Sequence, residues 1–115
     1  MKHHRTNRKL GRERNQRKAL LKSLARSLVL RGRIQTTEAK AKEVRGMVER
    51  LVTRGKVASL ANRRMLISAL GDAPSANKLI KTAEGYRERL GGYLRVIKMA
   101  PRKGDAAAMA MVEFV

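Results

Sequence analysis

The chain has 115 residues, the length of one small domain, and it carries 28 Lys or Arg against nine Asp or Glu, a formal charge of +19. It contains no cysteine, which excludes disulfides, thiolate metal clusters and cysteine nucleophiles. No segment approaches the roughly 18 consecutive apolar residues of a membrane span, and the charged N-terminus is not followed by a signal-peptide apolar region, so we expect a cytoplasmic protein with a polyanionic partner and no membrane partner.

Positive charge is concentrated at the start of the sequence. The first 33 residues hold twelve Lys or Arg and a single acidic residue, Glu13. Residues 1–14 show no apolar periodicity and cannot bury a core, so the sequence predicts an extended basic arm that becomes ordered on its partner. Residues 15–115 are predicted to form one domain. Nucleic acid is the leading candidate for the polyanion.

The first periodic segment predicts a basic helix followed by a short strand. Leucines from Leu20 to Leu28 recur at helical spacing after Gln16, and Gly32 can end the helix in a left-handed conformation. The β-prone residues 33–36, centred on Ile34, then predict a strand.

Three further helices are predicted from apolar stripes bounded by capping residues and glycines. Their predicted limits are Thr36 or Thr37 to Gly55, Leu60 to Gly71, and Asp72 or Ser75 to Gly85 or the Gly91–Gly92 pair. Gly46 lies inside the first of these and should weaken it by about 1 kcal/mol relative to Ala.

The C-terminal region predicts a β-hairpin. Residues 93–99 and 109–115 are strand-length runs that suit a sheet, and the basic segment 101–105 separates them. Two strands alone are marginal in water, so the helices must cover one face and the Ile34 segment can add a third strand. The predicted fold is α+β, with two layers, about four helices packed on a small mixed sheet. The methionines of this region, Met99, Met109 and Met111, are predicted to lie under the helices.

The sequence contains no pattern typical of an enzyme. The nine carboxylates are scattered, and there is no Gly-rich phosphate loop, metal box or nucleophile motif. Glu38 and Lys42 stand at helical ion-pair spacing, and Asp105 follows Gly104 in a predicted turn, both of which are structural uses. His3 and His4 supply at most two ligands, so no metal is expected. Because the sequence also lacks the motifs named above, no cofactor or small-molecule substrate is expected.

Charge alone leaves three kinds of polyanion open. A DNA-binding protein of the nucleoid type would share the basic helix, and a membrane-surface peptide would share residues 16–31. Folded RNA is the third. Competition binding at matched salt distinguishes them.

Six motifs, in order and at matching spacing along the chain, are similar to those of one family. They are Arg8-Lys9-Leu10-Gly11-Arg12, Arg17-Lys18-Ala19-Leu20-Leu21, Gly32-Arg33-Ile34-Gln35-Thr36-Thr37, Ala39-Lys40-Ala41-Lys42-Glu43, Gly91-Gly92-Tyr93 and Arg102-Lys103-Gly104-Asp105-Ala106-Ala107. Through them the chain resembles the bacterial large-subunit ribosomal protein seventeen family over essentially its whole length. The resemblance implies an α+β fold with a small mixed sheet, a structural role in translation on large-subunit (23S-type) ribosomal RNA beside neighbouring large-subunit proteins, and a position near the mouth of the peptide exit tunnel.

On such an RNA we expect phosphate contacts and shape recognition from basic side chains. The arm and first helix should lead, with charges on the later elements contributing. The candidate RNA-binding residues are Lys2, His3, His4, Arg5, Arg8, Lys9, Arg12, Arg14, Arg17, Lys18, Lys22, Arg26, Arg33, Lys40, Arg63, Arg64, Arg95, Arg102 and Lys103. Tyr93, at the head of a strand, is predicted to be a core residue with its hydroxyl at the edge.

Overall fold

A computed structural model describes residues 13–115, which form four helices and three strands. In chain order these are α1 (Arg14–Arg31), β1 (Arg33–Thr37), α2 (Glu38–Gly55), α3 (Leu60–Leu70), α4 (Ala73–Glu84), β2 (Leu94–Met99) and β3 (Met109–Phe114). The predicted helix count and the strand around Ile34 are confirmed. α1 begins at Arg14, so that residue, predicted as the last of the arm, is helical.

The helix ends follow from local capping chemistry. The Ser59 hydroxyl accepts the amide of Asn62 at 3.1 Å at the start of α3, and Asp72 accepts the amide of Ser75 at 2.8 Å at the start of α4. Gly32 and Gly71 close α1 and α3 with φ of 83° and 96°, the left-handed region that glycine enters without a steric cost.

The beginning of α2 differs in detail from the prediction. Thr37 does occupy the N-cap position, but its side chain makes no capping hydrogen bond. The next amide, that of Glu38, instead donates to the carbonyl of Ala108 at 2.9 Å, just before β3. The first amide of α2 is thus hydrogen-bonded by the segment before β3, and the threonine hydroxyl predicted to cap this helix end does not do so.

The sheet is antiparallel throughout, in the order β1-β3-β2. β3 is the middle strand, paired with β1 from Arg33↔Glu113 to Thr37↔Met109 and with β2 from Leu94↔Phe114 to Met99↔Met109. The prediction of a mixed sheet is therefore wrong, because every pair of neighbouring strands is antiparallel. β1 and β2 run in the same direction, but β3 separates them, so no parallel pair forms.

The core lies between the helices and one face of the sheet. Its fully buried members come from every helix, from Tyr93 just before β2 and from the inward face of β3, and apolar residues at partly exposed positions surround them. The largest are Tyr93, Leu28, Leu66, Leu70 and Leu79. One side of the sheet is thus covered, which confirms the predicted two-layer α+β fold.

The methionines lie on the other side of the sheet. Ala110 and Val112 are the fully buried residues of β3, so their neighbours Met109 and Met111 point away from the helices. Met99, paired with Met109, is 36% exposed. The prediction that these methionines lie under the helices is wrong, because the alternation of β3 places Ala110 and Val112 against the helices instead.

Tyr93 joins the core to the helix α2. It is fully buried, and its hydroxyl lies 3.2 Å from both the hydroxyl of Thr53 and the carbonyl oxygen of Arg89. The carboxylate of Glu49 accepts the amides of Tyr93 and Leu94 at 3.3 and 3.0 Å. The prediction of a structural Tyr93 is confirmed, and these contacts fix the start of β2 on α2.

Candidate nucleic-acid interface

The most one-sided charge in the described residues lies on α1. Six of its 18 residues are Lys or Arg and none is acidic. Four of them follow one another at intervals of four residues, so they form a row along the helix with a rise of about 6 Å per step. The row consists of Arg14, Lys18, Lys22 and Arg26.

The two ends of this row have different surroundings. At the N-terminal end, residues 13–16, Lys18 and Ala19 are all exposed. This half of α1 contributes no fully buried residue to the core. The buried residues of the helix, Ala25, Leu28 and Val29, all belong to its second half. The basic N-terminal half of α1 is thus open to a partner.

Lys22 and Arg26 pack over the turn between α3 and α4. A Cβ built on Gly71 would lie 3.0 Å from Nη1 of Arg26 and 3.3 Å from Cδ of Lys22. Arg26 Nη1 is also 3.9 Å from Asp72 Oδ2. Because α3 has no basic residue in its own last turn, these two cations stand where its C-terminal partial negative charge favours them. They therefore have a structural role beside any contact with nucleic acid.

Hydrogen bonding from Ser75 lowers the pKa of Asp72, and the charge of Arg26 contributes in the same direction. Asp72 is therefore ionised at neutral pH and partly offsets the charge at this end of the row. Arg26 is the member of the row that has a described salt bridge, whereas none is described for Arg14, Lys18 or Lys22.

A second set of predicted residues meets on the outer face of the sheet. Arg33 and Arg95 are both paired with Glu113, one from each side. Arg95 Nε donates to Glu113 Oε1 at 2.6 Å. One carboxylate between two arginines leaves this row with a net positive charge, and Arg33 is the exposed member without a described salt bridge.

The predicted basic loop between β2 and β3 is partly neutralised. Arg102 forms a two-pronged contact with Asp105, through Nε at 2.9 Å and Nη2 at 2.7 Å, and the amide of Ala107 also donates to Asp105. The Arg102 guanidinium lowers the pKa of Asp105 to about 2, and the carboxylate raises that of Arg102. Arg102 is therefore a turn-forming residue, whereas its neighbour Lys103 is exposed.

The other predicted residues lie on separate helices. Lys40 is half-buried near the start of α2, and Arg63 and Arg64 are exposed on α3. Arg63 Nε donates to Oδ1 of Asn77 on α4 at 3.2 Å. The structure therefore gathers the predicted residues into two separate sets, the α1 row and the Arg33–Arg95 pair, and Lys40, Arg63 and Arg64 belong to neither set.

The predicted arm contacts at positions 1–12 lie outside the described residues. They are Lys2, His3, His4, Arg5, Arg8, Lys9 and Arg12. The candidates omitted Arg31, an exposed cation in the last turn of α1. Because it lies on the same basic helix, without acidic residues, as the other candidates, the sequence alone could have added it to them.

Two further observations concern residues 13–115. Within that range no group of three or more His, Cys, Asp or Glu side chains is placed to hold a metal ion. None of the helices there is both long and apolar enough to cross a membrane.

Comparison with known proteins assigns the family. The sequence model described as Ribosomal protein L17 matches residues 20–115. A protein named large ribosomal subunit protein bL17 from Campylobacter jejuni is 47% identical over 116 positions, which cover 100% of this chain and 99% of that protein. The chain belongs to the Ribosomal protein L17 family. A protein of the same name from Staphylococcus epidermidis is 46% identical over 119 positions, covering 94% of this chain and 98% of its own length.

Family membership makes the chain a structural constituent of the large ribosomal subunit and not an enzyme. Its compartment is the bacterial cytoplasm, where that subunit works. The resemblance drawn from the six sequence motifs is confirmed. The basic N-terminal half of α1 is thus an exposed cationic surface on a ribosomal protein.

Proposed function

We propose that this chain binds and stabilises large-subunit (23S-type) ribosomal RNA through its basic arm, residues 1–14, and through α1, near the mouth of the peptide exit tunnel. The observation that carries the proposal is the composition and exposure of α1, with six basic residues, no acidic one and an open N-terminal half. Neighbouring large-subunit proteins complete the set of partners. The tunnel position rests on the family resemblance.

Charge supplies both the affinity and its dependence on salt. Each phosphate neutralised by Lys or Arg releases condensed counterions, which makes the logarithm of affinity fall linearly with the logarithm of salt. A chain with +19 charges also repels itself, and a bound polyanion relieves that repulsion. The same binding event thus attaches the protein to RNA and stabilises its fold.

The residue types favour ordered docking into folded RNA. Arg presents a planar fork to phosphate oxygens and stacks on bases, whereas Lys is a compact point charge. Both occur along the α1 row, at Arg14 and Arg26 and at Lys18 and Lys22. The arm adds Arg5, Arg8, Lys9 and Arg12, which precede the helix in sequence. Cations thus recur from the arm into the helix, with Glu13 as the one acidic residue among them, which suits a backbone path through RNA.

The test is the salt dependence of binding by the full-length chain to 23S-type RNA. If six to eight phosphates are contacted, the slope of log affinity against log salt should be roughly −4 to −7. The double variant Arg14→Gln/Lys18→Gln should make that slope shallower by about 1.5, because each lost phosphate contact contributes roughly 0.7–0.9.

The matched control is Lys78→Gln/Lys81→Gln, which removes the same charge from exposed positions of α4. We expect its slope to stay within about 0.5 of that of the unchanged protein. An unchanged slope for Arg14→Gln/Lys18→Gln would place the RNA elsewhere on the surface, and equal losses in both variants would mean that no particular face is used. Tighter binding to duplex DNA or to anionic vesicles at matched salt would contradict the RNA assignment itself.

A further inference from the structure

A groove opens where α1, α2 and α3 meet, beside the basic row. Its lining residues come from all three helices and are Lys18, Leu21, Lys22, Met47, Ser68 and Ala69. Its volume is about 370 Å³. That value is at the small end of the roughly 300–1,000 Å³ found for sites that take small-molecule-sized ligands.

The groove combines an apolar floor with a cationic rim. Leu21, Met47 and Ala69 are each half-buried and form the floor. Both charged lining residues are lysines, Lys18 and Lys22, and none of the described residues that line it is acidic. Its chemistry therefore fits a ligand that has a flat apolar part and an adjoining negative charge.

A nucleotide in folded RNA has that pair of properties. RNA is recognised most specifically at bulges and loops, where an unstacked base can lie on a protein surface while its phosphate meets a cation. An apolar protein segment would use the floor but would gain nothing from the two lysines of the rim. Charge complementarity therefore favours the nucleotide.

We propose, as an extension of the RNA-binding function above, that the groove receives one unstacked nucleotide of the bound ribosomal RNA. Its base lies on the floor formed by Leu21, Met47 and Ala69, and its phosphate lies against Lys18 and Lys22. The exposed hydroxyl of Ser68, on the α3 side, can hydrogen-bond to the base edge or the ribose 2′-hydroxyl.

The decisive variant fills the groove without changing charge. Ala69→Met adds a flexible apolar side chain on α3 at a position that suits a helix former. The matched control is Ala61→Met, the same substitution at an exposed position of the same helix that does not line the groove. Both are tested as full-length proteins against 23S-type RNA, by affinity, by salt slope and by chemical modification of unpaired bases.

We expect Ala69→Met to lower affinity by about twofold to fivefold, up to the low end of what a base stacked on an aromatic side chain contributes, because this floor is aliphatic. The salt slope should be unchanged. One or two bases protected by the unaltered protein should become reactive. Ala61→Met should change neither the affinity nor the protection of these bases. Met47→Gln, which keeps the length of the side chain but makes the floor polar, should give the same loss, and this second variant covers the case in which Ala69→Met does not fold.

Failure of this proposal can be told apart from failure of the RNA-binding function. If both groove variants bind like Ala61→Met with identical base protection, the groove holds no nucleotide although RNA binding stands. Absence of salt-dependent RNA binding by the unaltered chain would overturn both. Lost co-assembly with a neighbouring ribosomal protein at unchanged RNA affinity would assign the groove to that protein and overturn the nucleotide.

Discussion

Asp105 shows how a single carboxylate organises the basic turn between β2 and β3. It accepts hydrogen bonds from the guanidinium of Arg102 and from the amide of Ala107. The turn also contains Ala106 at a φ of 56°, a conformation that alanine rarely adopts. Three hydrogen bonds to one side chain hold that backbone in place.

The pKa of Asp105 makes this arrangement measurable. Hydrogen bonds from Arg102, the largest cause, and from the amide of Ala107 lower that pKa from 3.8 to about 2. Because the folded value lies below the unfolded one, the contact stabilises the turn at every pH above about 4 and is lost as the pH falls towards 2. We predict a midpoint near pH 2 when the carboxyl carbon of Asp105 is titrated by NMR.

Arg102→Gln should return that midpoint towards 3.8, since the largest cause of the shift is removed. Lys103→Gln removes a charge from the adjacent residue and should leave the midpoint near 2. A midpoint of 3.8 in the unaltered protein would show that the two side chains do not meet in solution.

At the scale of secondary structure, Gly46 is a weak point in the middle of α2. A Cβ there would meet nothing closer than Arg50 Nη1 at 3.7 Å. Gly46→Ala should therefore stabilise the protein by about 1 kcal/mol through helix propensity alone. In thermal unfolding of a domain of this size the gain corresponds to a rise in Tm of roughly 4–8 °C.

Gly55 provides the control on the same helix. Its Cβ would lie 3.4 Å from the Cβ of Ala83 and 3.6 Å from Cδ1 of Leu66, in a fully packed site at the end of α2. Gly55→Ala should gain less than Gly46→Ala, because the new methyl group must fit between α3 and α4. Equal gains from the two substitutions would show that packing at Gly55 is looser than the structure has it.

The limits of helices and the phase of strands both left local chemical signals in the sequence, but the phase of β3 was not used. Ser59 caps the start of α3 and Gly71 caps its end, so both limits of this helix follow from residue types in the sequence. In β3, the alternation itself marked the buried face, because Glu113 has the phase of Met109 and Met111, whereas Phe114 has the phase of Ala110 and Val112. The prediction for the methionines went wrong because it weighed their apolar character and not the phase of the charged residue.

At the scale of the whole molecule, the sequence located the positive charge but not its pairing. Arg102 and Asp105 are three residues apart, so their contact could be expected. The pair of Arg95 with Glu113 depends on strand register, and that of Arg26 with Asp72 on helix packing. The groove beside α1 draws on three helices and left no signal in the sequence.

Net charge should dominate the salt dependence of the stability of the free chain. The chain carries 28 basic and nine acidic residues, and the described residues include five ion pairs, each with at least one exposed partner. Exposed pairs contribute about 0–1 kcal/mol each and weaken when salt is added. Repulsion among the excess cations also weakens with salt, but with the opposite effect on stability.

Because the excess of 19 positive charges outnumbers the pairs, we predict that Tm rises as the Debye length falls from about 30 Å at 0.01 M salt to about 8 Å at 0.15 M. A rise of roughly 5 °C would correspond to about 1 kcal/mol. Lys78→Gln/Lys81→Gln should have a higher Tm at 0.01 M and a smaller salt dependence. A Tm that falls with salt would instead mean that the five ion pairs outweigh the net repulsion.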